Sequence, residues 1–250
     1  MATRSDVAGI APQVFSPVQH RYALAADQLP AHDHVSVLDV GGYRSRRRWL
    51  EQRLGRPLAR YVSVNPGPAW YDAEQLDCIA TGIALPFRSR SFPFVVCVDS
   101  LEHVAAEDRP ALVNDLVRVA SQRVIVVTPI SGGTVEDEEV FLMVGETLGV
   151  NPMPSLAEHV KFGLPSYEDI AALAMRHSGT IRFASPRRLY WAMQTAMLVN
   201  TAALGADAVA INRRLYQFQE AVLAQQTGAL QLSDAYRVVF TIDVAAMGES

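Results

Sequence analysis

The stretch "SVLDVGGYRS", residues Ser36 to Ser45, reads as a buried strand that carries one acid, Asp39, and stops at the adjacent glycines Gly41 and Gly42. A strand that ends on paired glycines marks a turn whose backbone is open to close approach. Outward from it, strand and helix signals alternate. Val35 to Val40 is the first strand, Arg44 to Leu54 a helix, and Tyr61 to Val64 a second strand closed by Asn65-Pro66-Gly67-Pro68. Cys78 to Ala80 is a short strand and Phe94 to Val98 a clear one. Pro110 opens a helix with Leu112, Leu116, Val119 and Ala120 at helical spacing, and Arg123 to Pro129, "RVIVVTP", is the most hydrophobic strand. Strands apolar on both faces that alternate with helices predict a doubly wound, Rossmann-like α/β fold: a mostly parallel sheet with helices on both sides. Such sheets bind ligands beyond the carboxyl ends of their strands, where strand order reverses. Asp39 to Gly42, Asn65, Thr81-Gly82 and Asp99 to His103 all fall at such ends.

The chain has 250 residues, half of them apolar, enough for one sizeable core. Residues 1–34 form an N-terminal helical segment, with a cap at Ser16 and apolar positions Tyr22, Leu24 and Leu29. The main domain is 35–250, with a lid at 130–180 and a helical insertion at 187–228 between two further strands, "GTIRFAS" and "YRVVFTIDV". A net charge of −4 gives no general attraction to nucleic acid or anionic membrane. The arginines of "RSRRR", Arg44 to Arg48, spread around a helix and read as a solvated face. Leu189 to Ile211 lacks Lys and Arg, but Gln194, Asn200 and Asp207 interrupt it, so it is expected to be a packed helix pair bent near Gly205 rather than a membrane span. Its apolar face suggests a homodimer. Cys78 and Cys97 are expected as buried free thiols, and the N-terminus lacks a secretory pattern, so the expected address is cytoplasmic. No His or Cys cluster has ligand spacing, so no metal is expected.

The first glycine turn lacks the third glycine of a dinucleotide fingerprint and the lysine of a P-loop, which disfavours a nicotinamide-dependent oxidoreductase. An acid on the last turn of the strand beside bare glycine backbone suits a ligand with an amine or hydroxyls. "VLDVGG", followed by "DCIATGIALPFRSRSFPFVVCVDSLEHV" and "DRPALVNDLVRVASQRVIVVTP", resembles the class I S-adenosylmethionine-dependent methyltransferases, of the small-molecule, methyltransferase-11-like type, over about residues 35–130. The downstream "SLAEHVKFGLPSYEDI" resembles a bacterial subgroup associated with glycan or secondary-metabolite pathways.

The resemblance implies S-adenosylmethionine as cofactor and methyl transfer to an oxygen or nitrogen of a small-molecule substrate. It places Asp39, Gly41, Gly42 and Tyr43 at the methionine part, Asn65 at the ribose, and Thr81, Gly82 and Leu85 at the adenine. Asp99, Ser100 and Leu101 would line the transfer site, with His103 as a base, Glu102 beside it, and His159 reaching the substrate from the lid. Three departures stand out: Asn65 and Thr81 replace two common acids, and Pro93 replaces a third. They motivate the alternative of a catalytically silent binding or assembly protein.

Overall fold

The computed structural model describes residues 17–32, 34–66, 76–131, 136–149, 156–203, 213–215, 217 and 230–245. Seven strands form one sheet in the order β3-β2-β1-β4-β5-β7-β6. They are β1 (Ser36–Val40), β2 (Arg60–Asn65), β3 (Cys78–Ile79), β4 (Phe92–Val98), β5 (Ala120–Pro129), β6 (Thr180–Pro186) and β7 (Ala235–Asp243). The pairs among β1 to β5 are parallel, and β7 runs antiparallel to both of its neighbours. The expected doubly wound α/β sheet is therefore present. Strand order reverses between β1 and β4, so the ends of those two strands, at Val40 and Val98, flank the switch point.

The helices are α1 (Pro17–Ala26), α2 (Arg47–Leu54), α3 (Arg109–Val119), α4 (Glu136–Thr147), α5 (Leu156–Phe162), α6 (Tyr167–Arg176) and α7 (Arg187–Ala203). Strand alternation sends side chains to two cores. Leu38, Val40, Val95, Cys97, Val124, Val126 and Phe240 meet Leu112, Leu116, Ile170 and Leu173 of α3 and α6. Val37, Phe94, Val96, Ile125 and Val127 meet Tyr22 and Leu24 of α1 and Leu50 of α2. Two elements serve the sheet more directly than the sequence suggests: α1 is almost wholly buried, and α6, inside the span expected as a lid, contributes to the main core.

Pro93 sits where the β4–β5 register shifts, between Phe92 and Phe94. A proline cannot donate to a ladder and is tolerated at such an irregularity. Arg44 and Arg48 are exposed, Arg44 pairing with Asp77 and Arg47 with Glu51. Cys97 is buried and Cys78 half-buried, both as free thiols. Among the described residues no helix is long and apolar enough to cross a membrane. Ser16, Gly67, the bend near Gly205 and most of the later helical insertion lie outside the described residues.

Candidate functional site at the ends of β1 and β4

Asp39 occupies the α1 side of β1, fully buried. Its Oδ2 accepts hydrogen bonds from the hydroxyls of Tyr22 at 2.7 Å and Tyr61 at 2.5 Å, while Oδ1, equally buried, has no hydrogen-bond partner among the described residues. Burial lifts the Asp39 carboxyl to about 6, against the opposing pull of the two tyrosine hydrogen bonds.

The glycine pair answers first to the protein's own atoms. A Cβ at Gly41 would lie 1.9 Å from Ser100 Oγ, and at Gly42 2.0 Å from Asp39 Oδ2. Gly41 also has φ +89°, a conformation only glycine adopts readily. The turn after β1 is thus pressed against the loop after β4, with the Asp39 carboxylate beneath it. Asn65 donates its side-chain amide to Gly41 O at 3.0 Å, a bond that ties β2 to the same turn.

At the end of β3 and just beyond it, Thr81 is exposed, and so are the apolar side chains of Ile79 (59%) and Ile83 (41%). Leu85, which the resemblance puts at the adenine, is buried. It is packed into the main core, and its backbone is bonded to Asp115 and Arg118 of α3. Leu101 is likewise a core residue. A Cβ at Gly82 would meet Leu112 at 2.4 Å, so this glycine lets the strand end lie against α3.

Asp99 ends β4 in a left-handed conformation, φ +43°. Its carboxylate is held by Arg237 of β7, through Nη2 at 2.7 Å and Nε at 3.1 Å, and by Arg21 of α1 at 2.8 Å. Burial would raise Asp99, but the two guanidiniums outweigh it and hold the carboxyl down at about 2. Arg237 in turn lies over the rings of Tyr190 and Tyr236 and donates to Tyr190 Oη at 3.1 Å. Beside this network, His20 meets Ser185 Oγ at 2.8 Å, and burial pushes its imidazole down to about 3, so it is neutral at any ordinary pH.

A turn of 3-10 helix, Leu101–His103, presents Glu102 and His103. Helix α5 brings Glu158 and His159 onto it, with Glu158 Oε2 2.8 Å from His103 Nδ1 and the two imidazole rings 5.1 Å apart. Arg109 clamps α5 in place by donating to the carbonyls of Phe162 and Gly163. Glu102 is fully buried and accepts from Thr128 Oγ1 of β5 at 3.2 Å. Burial, then the neighbouring Asp99 charge, lifts its carboxyl to about 8. The His103 imidazole is held below its ordinary range, first by burial and then by His159.

The structure brings together His103, the expected base, Glu102 beside it and His159, the expected substrate contact. Sequence reasoning missed Arg21, Tyr22, Tyr61, Glu158, Tyr190 and Arg237. Arg237 alone carried a readable signal, as a cation inside the otherwise apolar run "YRVVFTID". A separate open cleft of about 530 Å³ lies at the carboxyl end of β5, lined by Ser131, Tyr167, Glu168, Gln231, Leu232 and Ser233.

No protein-family model matches this sequence, and no curated protein does. Solved structures do match in fold. The phosphoethanolamine N-methyltransferase 2 of Haemonchus contortus superposes with a TM-score of 0.54 at 12% identity, over 92% of this chain and 53% of that one. The chain thus spans about half the length of the nematode protein. A geranyl diphosphate methyltransferase in complex with S-adenosylmethionine gives 0.53 at 10% identity, over 90% and 84% of the two chains. The [4+2]-cyclase SpnF gives 0.51 at 15% identity, over 89% and 79%. At these identities the likeness establishes the class I methyltransferase fold and nothing finer.

Proposed function

We propose that the chain binds S-adenosylmethionine at the turn after β1 and transfers its methyl group to an oxygen or nitrogen of a small molecule. The observation that carries this reading is Asp39 Oδ1, a buried carboxylate oxygen without a hydrogen-bond partner among the described residues, beneath a glycine turn at the sheet's switch point. Such an oxygen is costly to leave unmade and suits the cationic amine of the cofactor. The exposed Ile79 and Ile83 beside Thr81 suit the faces of an adenine ring. The structural neighbours support the reading: two are methyltransferases, one of them solved with S-adenosylmethionine.

When bound, the cofactor supplies an electrophilic methyl on a sulfonium. The protein's task is to place an acceptor in line and to exclude water. The loop Asp99 to His103 forms one wall. Arg237 and Arg21 immobilise Asp99, so this wall is set before any ligand arrives. Helix α5, clamped by Arg109, forms the opposite cover. A hydroxyl acceptor would lose its proton within the imidazole group of His103 and His159, where Glu158 at His103 Nδ1 favours the charged ring.

The silent alternative draws on Asn65, whose side-chain amide already serves Gly41 O. Calorimetric titration with S-adenosylmethionine separates the two readings. Saturable binding is expected, with affinity at least tenfold weaker in Gly42→Ala, whose added methyl must displace the Asp39 carboxylate. Neither heat nor a thermal shift at millimolar cofactor would establish the silent reading.

A further inference from the structure

We propose that Glu102, His103 and His159 form a site for one divalent transition-metal ion, zinc above all. One ligand atom from each of the three lies within 4.8 Å of the other two. Ligand atoms about 2 Å from a zinc ion sit roughly 3.3–4 Å apart, so side-chain rotations of an ångström or less close the site.

Each ligand is prepared for the role independently. Glu102 Oε1 is buried without a hydrogen-bond partner among the described residues and stands 3.9 Å from His103 Nε2. Its other oxygen accepts from Thr128, which fixes the carboxylate plane. The Glu158 carboxylate lies 2.8 Å from His103 Nδ1. A proton on Nδ1 leaves the lone pair on Nε2, 3.9 Å from Glu102 Oε1; Glu158 makes no hydrogen bond to Nδ1 at the present angle but stands close enough to become the carboxylate that supports a metal-bound imidazole. The tilted His159 ring completes the set from α5.

Two imidazoles and one carboxylate are a ligand set found in catalytic rather than structural zinc centres, because three protein ligands leave a position open. Spacing along the chain conceals the site: α3, β5 and α4 separate the two histidines. An ion here would also pin α5 to the end of β4. If the methyl-transfer reading holds, an acceptor hydroxyl at the open position would become more acidic and its proton would leave to water, the imidazoles then serving as ligands. The binding of the ion itself does not rest on that reading.

The test uses the full chain, treated with chelator, dialysed and titrated with zinc chloride, without S-adenosylmethionine. Expected are one equivalent bound per chain and an unfolding midpoint raised by roughly 5 °C or more at saturation. His159→Ala and, separately, His103→Gln should abolish the shift, Glu158→Gln should weaken binding about 10- to 100-fold, and His177→Ala, at a half-buried histidine bonded to Asn114, should leave zinc binding unchanged. Cobalt should give a visible absorption band that the same ligand variants lose. A shift below 1 °C at about 100-fold excess zinc, or undiminished binding in folded His159→Ala and His103→Gln, overturns the site. Because no cofactor is present, such a failure leaves the methyltransferase reading standing.

Discussion

Asp99→Ala is expected to unfold about 10 °C below the parent chain, the largest loss of stability that any single change at this site should cause. The substitution leaves Arg237, with 2% of its side chain exposed, and Arg21, with 17%, facing each other without the shared carboxylate. Removing one partner of a buried ion pair costs about 3–5 kcal/mol, because the charge left behind is buried without compensation, here the Arg237 guanidinium above all. For a chain of this size, each kcal/mol moves the midpoint by roughly 2–4 °C. The left-handed backbone at Asp99 adds to the cost, since alanine has no side-chain bond to hold that conformation.

Asp99→Ala combined with Arg237→Met should recover part of the loss, because an apolar side chain of similar length can lie over the stacked rings of Tyr190 and Tyr236. Thermal and urea unfolding of the two single variants and the double variant would measure the coupling. Strictly additive losses would show that the ion pair is not the organising element of this wall. The same network predicts an acid limb. The folded-state value near 2 lies below the ordinary 3.8, so Asp99 contributes stability that is complete above about pH 4 and is lost as pH falls towards 2.

How far the sequence foretells this site depends on the range of each interaction. The strand ends were legible because buried parallel strands announce themselves by apolar runs, and glycines and acids at their ends are local signals. The partners of those acids were not. Tyr22 and Arg21 come from a helix that precedes β1, and Arg237 from a strand near the other end of the chain. Nothing local to Asp39 or Asp99 foretells them. The glycines illustrate a different limit. Their presence is evident in the sequence, but what excludes a Cβ is Ser100 for Gly41 and the Asp39 carboxylate for Gly42. Leu85 shows the same limit: a leucine after a strand end reads as pocket wall or as core alike, and its burial against α3 is a long-range contact. The approach of His159 to His103 is equally hidden in the sequence, since it depends on α5 packing against the turn after β4, a contact that Arg109 of α3 secures.

Asp39 gives the second large effect, of opposite sign to Asp99. Its carboxyl titrates near 6 in the folded chain and near 3.8 in the unfolded one, so between those values the folded state holds a proton that the unfolded state has lost. Stability therefore rises as pH falls through this window, by about 3 kcal/mol in all, at roughly 1.4 kcal/mol per unit. Asp39→Asn keeps an oxygen for Tyr22 and Tyr61 but cannot ionise. The stability difference between parent and variant, from urea unfolding at pH 8 and pH 4, should shift by that amount in favour of the parent at the lower pH. Glu102, also held above its ordinary value, is present in both proteins and cancels. A difference that stays flat from pH 8 to pH 4 would mean that Asp39 is not strained by ionisation. The strain has a use on the proposed reading: an ionised, half-satisfied carboxylate is relieved by a cationic ligand amine. Saturating S-adenosylmethionine should accordingly stabilise the parent more at pH 8 than at pH 5, and should stabilise Asp39→Asn at least tenfold less well in affinity at pH 8. Equal cofactor affinity in the two proteins at pH 8 would detach the amine from Asp39 and remove the observation on which the cofactor assignment stands.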